Sequence, residues 1–361
     1  MRDLALGEVI PAMRPLLPTA KALIPYLERI DERRVYSNFG PLYFELVERL
    51  SKYLDVGEDN VALFANGTLA LQAAIETVGD QGDTWVVPSY TFVATAQAVH
   101  AARRKIHFAD VAEESWALEG RERPFATGHV VVAPFGSRPP LSQWCDVSGW
   151  KVFDAASCFD SCHGIGSLLD EKSSLMISLH ATKTLPAGEG ALLVGPSEWI
   201  RQARSWGNFG FNGSRSASGP GLNAKLSEYH SAVGLASLDG WNQTRRHLAQ
   251  RSEHARAICE GLDVVTQPSL GDGWVTTTWN IRLRKPDLPA IERALAENGI
   301  QTRRWWPSGV HEMPLFRGCT KDLLPVTSQL ANQVLGLPFA VDLSVAELNR
   351  ISLALKNACR E

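Results

Sequence analysis

The sequence predicts an α/β protein with a large, mainly parallel sheet of seven strands, followed by a smaller α+β unit. Seven short apolar runs lie between residues 61 and 194, and most of them are separated by helical or turn segments. Such alternation is typical of parallel strands that carry helices on both faces. A chain of 361 residues is also long enough for one large and one smaller domain.

Composition and charge argue against several classes of protein. The chain is 45% hydrophobic and 21% charged, as soluble globular proteins are. A formal net charge of -3 gives no reason to expect nucleic acid or an anionic membrane as a partner. No apolar run approaches the roughly 20 residues of a spanning helix, and the N-terminus lacks the apolar region of a signal peptide. We therefore expect a cytoplasmic protein.

The six cysteines do not predict a metal site. Only Cys158 and Cys162 are clustered, with His163 beside them, and no second pair of ligands completes a zinc site. We expect reduced, partly buried thiols.

Residues 1–57 are predicted to form a helical arm that packs on the large domain. Apolar residues recur at helical spacing in two stretches, 23–30 and 42–53. The turn motif Asn38-Phe39-Gly40-Pro41 lies between them.

The large domain is predicted over residues 58–245. Its strands are expected at 61–64, 84–88, 105–109, 129–133, 151–154, 175–178 and 191–194. One helix is expected to open at Asn66-Gly67-Thr68 and run to about residue 78, and the next to span 91–103. A loop rich in Gly, Ser and Asn follows at 207–221, and then a long helix from 226 to 260.

Residues 246–361 are predicted to form the smaller C-terminal domain. A strand is expected at 279–283, a helix at 288–298 and a final amphipathic helix at 346–359.

Two strand ends carry groups that suit a flat, anionic ligand. Asn66-Gly67-Thr68 lies between a strand and a helix, where free N–H groups and the helix dipole favour an anion. An ordinary helix N-cap has the same pattern. Phe92 follows the next strand and can stack on a planar ring, or can simply belong to the core.

Two further strand ends carry an acid and an amine. Asp154 ends a buried strand, where a carboxylate needs a partner such as a protonated ring nitrogen or a basic side chain. An ordinary helix N-cap is the alternative interpretation. Lys183 follows an apolar run and precedes a turn that contains Pro and Gly. A partly desolvated lysine at such a place has a lowered pKa and can form a Schiff base, whereas a solvated loop lysine cannot.

Together these four strand ends match the needs of one cofactor. Pyridoxal phosphate requires a site for its phosphate, an acid on its pyridinium nitrogen and a lysine on its aldehyde, and an aromatic ring can stack on it. The combination therefore predicts pyridoxal phosphate.

The chain resembles the DegT/DnrJ/EryC1/StrS aminotransferases, the sugar-aminotransferase branch of fold-type I pyridoxal-phosphate enzymes. The resemblance spans nearly the whole chain. Its most specific part is the lysine motif, residues 178–183, with the Gly188-Glu189-Gly190 tail. The other matching segments are Ser37-Asn38-Phe39-Gly40-Pro41, residues 66–71, residues 88–94, Asp154-Ala155-Ala156, Gly221-Leu222-Asn223, Glu228, residues 299–303 and Leu337-Pro338.

The resemblance implies a role for each matching residue. Lys183 would hold the cofactor through a Schiff base and then act as the base in the 1,3-proton shift. Asp154 would bind the pyridine nitrogen, Phe92 would stack on the ring, and Ser157 would lie near the ring hydroxyl. The phosphate would be bound by Gly67, Thr68 and Ser178, and by Asn223 of a neighbouring subunit. The implied assembly is a homodimer with shared active sites.

This chain departs from the usual family pattern at three places. Ser157 stands where the family has Gln or His, and Lys225 replaces an arginine, which loses a planar fork for carboxylate or phosphate. Trp305 and Trp306 replace a segment with tyrosine ahead of His311. We assign His311, Trp305 and Trp306 as substrate residues, with a core role for the tryptophans as the alternative.

The implied activity is transfer of an amino group from an amino acid, L-glutamate or L-glutamine, to a keto-sugar that is often nucleotide-linked. One alternative is a keto substrate without a nucleotide, such as a cyclitol or a natural-product intermediate. Another is a pyridoxal-phosphate enzyme of the same fold that does not transaminate. The presence of Lys183 argues against related dehydratases, which lack this lysine, and against a non-catalytic binding protein, which does not need it.

Overall fold

A computed structural model of the protein describes residues 9–284 and 287–359. The first eight residues of the predicted arm and the last two of the predicted C-terminal domain lie outside these ranges. No helix in the described ranges is long and apolar enough to cross a bilayer.

The N-terminal segment contains two helices, α1 (Ala20–Arg33) and α2 (Pro41–Leu54). Both pack on α6 (Glu228–Asp239). Ahead of them, Ile10 pairs with Ile300, and Met13 pairs with Phe339. Among the described residues of the predicted arm, the helices therefore begin at Ala20, and residues 10 and 13 pair with the C-terminal part of the chain.

The large sheet contains all seven predicted strands. They are β1 (Val61–Phe64), β2 (Thr84–Pro88), β3 (Lys105–Ala109), β4 (Gly128–Val132), β5 (Trp150–Asp154), β6 (Ser173–Ser178) and β7 (Ala191–Val194). Their side chains are almost all buried because helices cover both faces. Pairing is parallel except at β7, which runs antiparallel to β1 and β6.

An eighth strand corrects the predicted number. β10 (Thr320–Lys321) pairs in parallel with the edge strand β3, which gives the order β1-β7-β6-β5-β4-β2-β3-β10. Two exposed residues have no periodicity, so the sequence pattern gave no indication of this strand.

Helices α3 (Gly67–Glu76), α4 (Val93–Ala101) and α5 (Ser197–Trp206) accompany this sheet. The long helix predicted at 226–260 is wrong, because Gly240 separates α6 from α7 (Trp241–Cys259). Glycine has a low helix propensity, and here it ends one helix and precedes the next.

A second, antiparallel sheet has the order β11-β9-β8 and is formed by β8 (Val264–Thr266), β9 (Trp279–Leu283) and β11 (Val334–Leu337). Its companion helices are α8 (Leu288–Glu297), α9 (Pro325–Gln333) and α10 (Val345–Ala358). The strand and the two helices predicted in this region are thereby confirmed. The domain boundary predicted at 245/246 falls inside α7 and stays a prediction.

A buried carboxylate joins the N-terminal helices to the rest of the fold. Glu228 accepts hydrogen bonds from the backbone N–H groups of Leu42 (2.9 Å) and Tyr43 (2.8 Å), in the first turn of α2. The N-cap of α2 is Gly40, which has no side chain to do this. Because Glu228 is only 2% exposed, it acts as a tertiary cap on the positive end of the helix dipole.

Replacing Glu228 by Ala is expected to lower the free energy of unfolding by about 3 kcal/mol, since two charge-assisted hydrogen bonds are lost in a buried place. Glu228→Gln retains a hydrogen-bond acceptor without the charge, so its free energy of unfolding should fall by a smaller amount. Urea denaturation measures both. Glu48→Ala, on the exposed side of α2, is the control and should leave stability unchanged. Equal stability of Glu228→Ala and Glu48→Ala would contradict the capping role.

Candidate active site

A cavity of about 420 Å³ lies at the carboxyl edge of the large sheet. Its wall is formed by residues at or after the ends of β1, β2, β4, β5 and β6, together with Met13, residues 277–278, Arg303, Trp305 and Trp306. Most of the predicted site residues line it, namely Gly67, Thr68, Phe92, Asp154, Ser157, Ser178, Lys183, Trp305 and Trp306. The chain thus brings its predicted cofactor residues into one place.

Asp154 supplies a buried carboxylate at the end of β5, which is flanked by β4 and β6. It accepts hydrogen bonds from Thr95 Oγ1 at 2.7 Å and from the N–H of Ala156 at 3.2 Å. Burial raises the pKa of Asp154, and the hydrogen bond from Thr95 and the charge of Lys183 oppose that rise. A cationic ligand group at this carboxylate would restore the charge balance that burial disturbs.

Lys183 supplies an amine to the same cavity from the turn that follows β6. The turn is fixed by backbone hydrogen bonds, among them Lys183 N–H to His180 O at 2.8 Å and Ala181 N–H to Gly188 O at 2.8 Å. Lys183 Nζ donates to Ser157 Oγ at 3.0 Å. Burial lowers the pKa of the Lys183 amine, although the charge of Asp154 opposes the shift. A larger fraction of the amine is therefore neutral and nucleophilic than in a solvated lysine.

The N-terminus of α3 forms the anion-binding end of the cavity. Asn66 caps the helix by accepting from the N–H of Leu69 at 3.0 Å, so the N-cap interpretation of this motif is correct. The first N–H groups of a helix have no partner within it, and they point toward the positive end of the dipole. A Cβ at Gly67 would lie 3.2 Å from Met176 Sδ and 3.6 Å from Ser178 Cβ. Glycine therefore leaves room for an anion to come close to the backbone N–H groups. The cap and the anion site thus coexist.

Phe92 offers an uncovered aromatic ring to the cavity. It precedes α4 and is 60% exposed, which excludes the core role considered from the sequence. With Asp154, Lys183 and the α3 N-terminus, this ring completes a set of groups that fits pyridoxal phosphate.

Trp305 and Trp306 line the cavity, but their ring faces already have contacts within the chain. Trp306 stacks on Phe135 with 4.4 Å between ring centroids and meets Tyr90 edge-on at 4.7 Å. The guanidinium carbon of Arg303 lies 4.5 Å from the centroid of Trp305. These contacts favour a supporting role for both indoles over direct stacking on a sugar or base.

Asn223 and His311 are not among the residues that line the cavity. Asn223 is exposed, and its Oδ1 accepts from Lys225 Nζ at 2.8 Å. His311 is buried, with Nδ1 2.6 Å from Ser89 Oγ and Nε2 2.7 Å from Glu312. In this structure His311 fastens the segment after residue 309 to the end of β2.

The sequence pattern missed several residues of the site. Thr95 lies one helical turn after Thr91, and the two hydroxyl oxygens are 2.9 Å apart. Its position on the first turn of a helix at the sheet edge was an available clue. No local sequence pattern indicated Met13 or Thr277, because contacts with segments far away in sequence place them at the cavity. Thr277 Oγ1, for example, donates to Thr182 O at 2.9 Å.

The buried cysteines take no part in the cavity lining. Cys158 and Cys162 are fully buried and free, and burial raises the pKa of Cys158 to about 12. They are therefore unreactive thiols.

Comparison with known proteins points to one family. The model for the DegT/DnrJ/EryC1/StrS aminotransferase family matches residues 19–356. The dTDP-4-amino-4,6-dideoxy-D-glucose transaminase of Escherichia coli is 26% identical to this chain, over 93% of this chain and 95% of the relative.

Solved structures agree with that result. DesI, determined in the presence of its TDP-sugar product, gives a TM-score of 0.88 at 26% identity, covering 99% of this chain and 95% of DesI. NtdA from Bacillus subtilis, with bound cofactor PMP, gives a TM-score of 0.83 at 20% identity, covering 100% of this chain and 86% of NtdA. The predicted fold-type I architecture is confirmed.

The electrostatic coupling in the cavity predicts an unusual titration of Lys183. In cofactor-free protein, its amine should titrate below the ordinary value of 10.5 because it is desolvated. Asp154→Asn should lower the midpoint further, because it removes a negative charge that favours the ammonium form. NMR of isotopically methylated lysines measures the midpoint. Glu48→Gln is the control, since it removes the partner of Lys52 and should leave Lys183 unchanged. An upward shift in Asp154→Asn would contradict the coupling.

Proposed function

The chain belongs to the DegT/DnrJ/EryC1/StrS aminotransferase family, and from that premise we propose that it moves an amino group from L-glutamate or L-glutamine to the ketone of a nucleotide-linked sugar. Relatives named as transaminases of dTDP- and UDP-linked sugars support this acceptor. The observation that carries the proposal is the shared cavity, in which the Lys183 amine and the Asp154 carboxylate lie with the α3 N-terminus and Phe92.

Bound in this cavity, pyridoxal phosphate would supply the carbonyl group that exchanges amino groups and a ring that stabilises a carbanion. Gly67, Thr68 and Ser178 would hold its phosphate through backbone N–H groups and a hydroxyl. Phe92 would cover one face of its ring.

Asp154 would keep a proton on the pyridine nitrogen. Its carboxylate is aligned by Thr95 and by the N–H of Ala156, so its orientation does not depend on the ligand. Because the site is buried, a positive charge facing this carboxylate is stabilised far more than it would be in water.

Lys183 would both attach the cofactor and carry the proton. Of the described residues that line the cavity, it alone bears an amine. Its lowered pKa makes a larger fraction of the amine neutral than in a solvated lysine, so Nζ can take a proton from one carbon and return it to another. Ser157 Oγ, 3.0 Å from Nζ, would orient the amine.

We further propose a homodimer in which Asn223 reaches the phosphate of the partner's site. Several large apolar side chains are exposed, including Phe209 and Leu222 beside Asn223, Phe44 on α2, and the stacked pair Tyr36 and Tyr229. Exposed apolar patches of this kind mark protein interfaces. The exposed position of Asn223, outside the cavity of its own chain, agrees with a role across such an interface.

The transaminase proposal is tested by half-reactions. Wild-type protein with cofactor should lose its visible absorbance band when L-glutamate or L-glutamine is added, and regain it with a keto-sugar nucleotide. Lys183→Ala should abolish the response, and Asp154→Asn should slow it by about 100-fold or more. Glu48→Gln, far from the cavity chemistry, should respond as wild type. A Lys183→Ala protein with an unchanged spectrum and response would refute the assignment.

Mixed dimers test the shared site. Lys183→Ala and Asn223→Asp proteins should each be inactive, the second because a negative charge would face the phosphate. If Asn223 serves the partner's cavity, random mixing should restore roughly a quarter of wild-type activity, since half the dimers would hold one intact site. If Asn223 serves its own cavity, no mixture can restore activity. Reassociation is followed with two differently tagged chains.

A further inference from the structure

Arg303 places an unneutralised positive charge at the mouth of the cavity. Its side chain is exposed and belongs to the cavity lining. Within the described part of the chain, no carboxylate oxygen lies within 4.0 Å of its nitrogens. Its one side-chain hydrogen bond is a weak one, from Nη1 to Met13 Sδ at 3.5 Å. The guanidinium therefore keeps most of its donors for another group.

Two neighbouring arginines form ion pairs with carboxylates, whereas Arg303 forms none within the described ranges. Arg304 grips Glu292 with both Nε (2.9 Å) and Nη2 (2.5 Å). Arg14, beside Met13 in the chain, binds Asp342 and Glu347 at 2.9 Å each. Arg303 and Arg304 are adjacent in sequence, yet only one of them is neutralised.

The structure also fixes Arg303 in place. Its backbone exchanges two hydrogen bonds with Gly336, at 2.9 and 2.8 Å. Its guanidinium stacks over Trp305, which stabilises the position of a cation without neutralising it. Gly336 also makes room for Trp305, since a Cβ at 336 would lie 2.4 Å from the indole nitrogen. Gly336 and Trp305 thus form a rigid support under the arginine.

Two acidic residues, Asp154 and Glu189, line the cavity together with Arg303. Asp154 is buried with Thr95, and Glu189 lies 3.7 Å from His180 Nε2. Neither forms an ion pair with Arg303. The charge at the mouth is thus available to a substrate.

We propose that Arg303, supported by Trp305, binds an anionic oxygen group of a substrate, either the carboxylate of the amino donor or the phosphate of the acceptor. Guanidinium forks bind both groups in a bidentate manner. This inference rests on the proposed function and deepens it, because it assigns an anionic substrate group to the site. If that group is the acceptor's phosphate, it also argues against a neutral cyclitol as acceptor.

Two binding arms distinguish the two sources. In the donor arm, cofactor-loaded protein is titrated with L-glutamate and the visible band is followed. In the acceptor arm, calorimetry measures the Kd of TDP and UDP, with thymidine and uridine as neutral controls. We compare Arg303→Gln and Arg303→Lys with Arg304→Gln as the matched control, and urea denaturation reports the stability of each variant.

Arg303→Gln should weaken binding at least about tenfold in one arm, the source of the anion, while the nucleosides and Arg304→Gln are unaffected. The affinity of Arg303→Lys should lie between those of wild type and Arg303→Gln, since an ammonium keeps the charge but lacks the planar fork. Suppose that wild-type protein reacts with glutamate and that Arg303→Gln binds as tightly as Arg304→Gln in both arms. This result would overturn the Arg303 proposal and leave the proposed function standing. Wild-type protein that responds to no amino donor would overturn the proposed function, and this inference with it.

Discussion

Burial of the Asp154 carboxylate at the end of β5 is the constraint on which the site depends. A carboxylate removed from water costs several kcal/mol unless hydrogen bonds or a positive charge compensate it. Thr95 and the N–H of Ala156 supply part of that compensation, and the Lys183 ammonium supplies another part. The remainder favours binding of a cationic ligand group, and under the proposed function the protonated pyridine nitrogen would be that group. The energetic cost of the buried acid would then contribute to affinity for the cofactor.

The same pair of charges sets the chemistry of Lys183. Desolvation lowers the pKa of the amine, and Asp154 raises it. A second cation facing Asp154 would offset its charge and weaken its stabilisation of the ammonium, so the proposed role of Lys183 as a base would be favoured when the cofactor is bound. Parallel strands β5 and β6 bring the two groups together, since their carboxyl ends meet at one edge of the sheet.

The sequence predicted the elements whose pattern is local. Seven buried strands and the groups at their ends were identified, because apolar runs and strand-end polar residues are visible without a structure. The break at Gly240 was missed, since one glycine is often tolerated within a helical pattern. Strand β10 and Met13 were missed for a different reason, because each is defined by pairing with a segment far away in sequence. The lack of an ion pair at Arg303 among the described residues depends on the positions in space of all nearby carboxylates, and a sequence motif does not show these positions.

The residues proposed for the chemistry and those proposed for substrate choice come from different parts of the fold. The floor of the cavity is formed by ends of β5 and β6, whose registers are fixed by strand pairing on both sides. The mouth is formed by Met13, Arg303, Trp305 and Trp306, which are held by contacts with remote segments such as Gly336. A change at the mouth can therefore alter which substrate is accepted without moving Lys183 or Asp154. The replacement of a tyrosine segment by Trp305 and Trp306 is a change of this kind. One indole stacks on Phe135 and the other lies under Arg303, so the group that we propose to face the substrate is a cation.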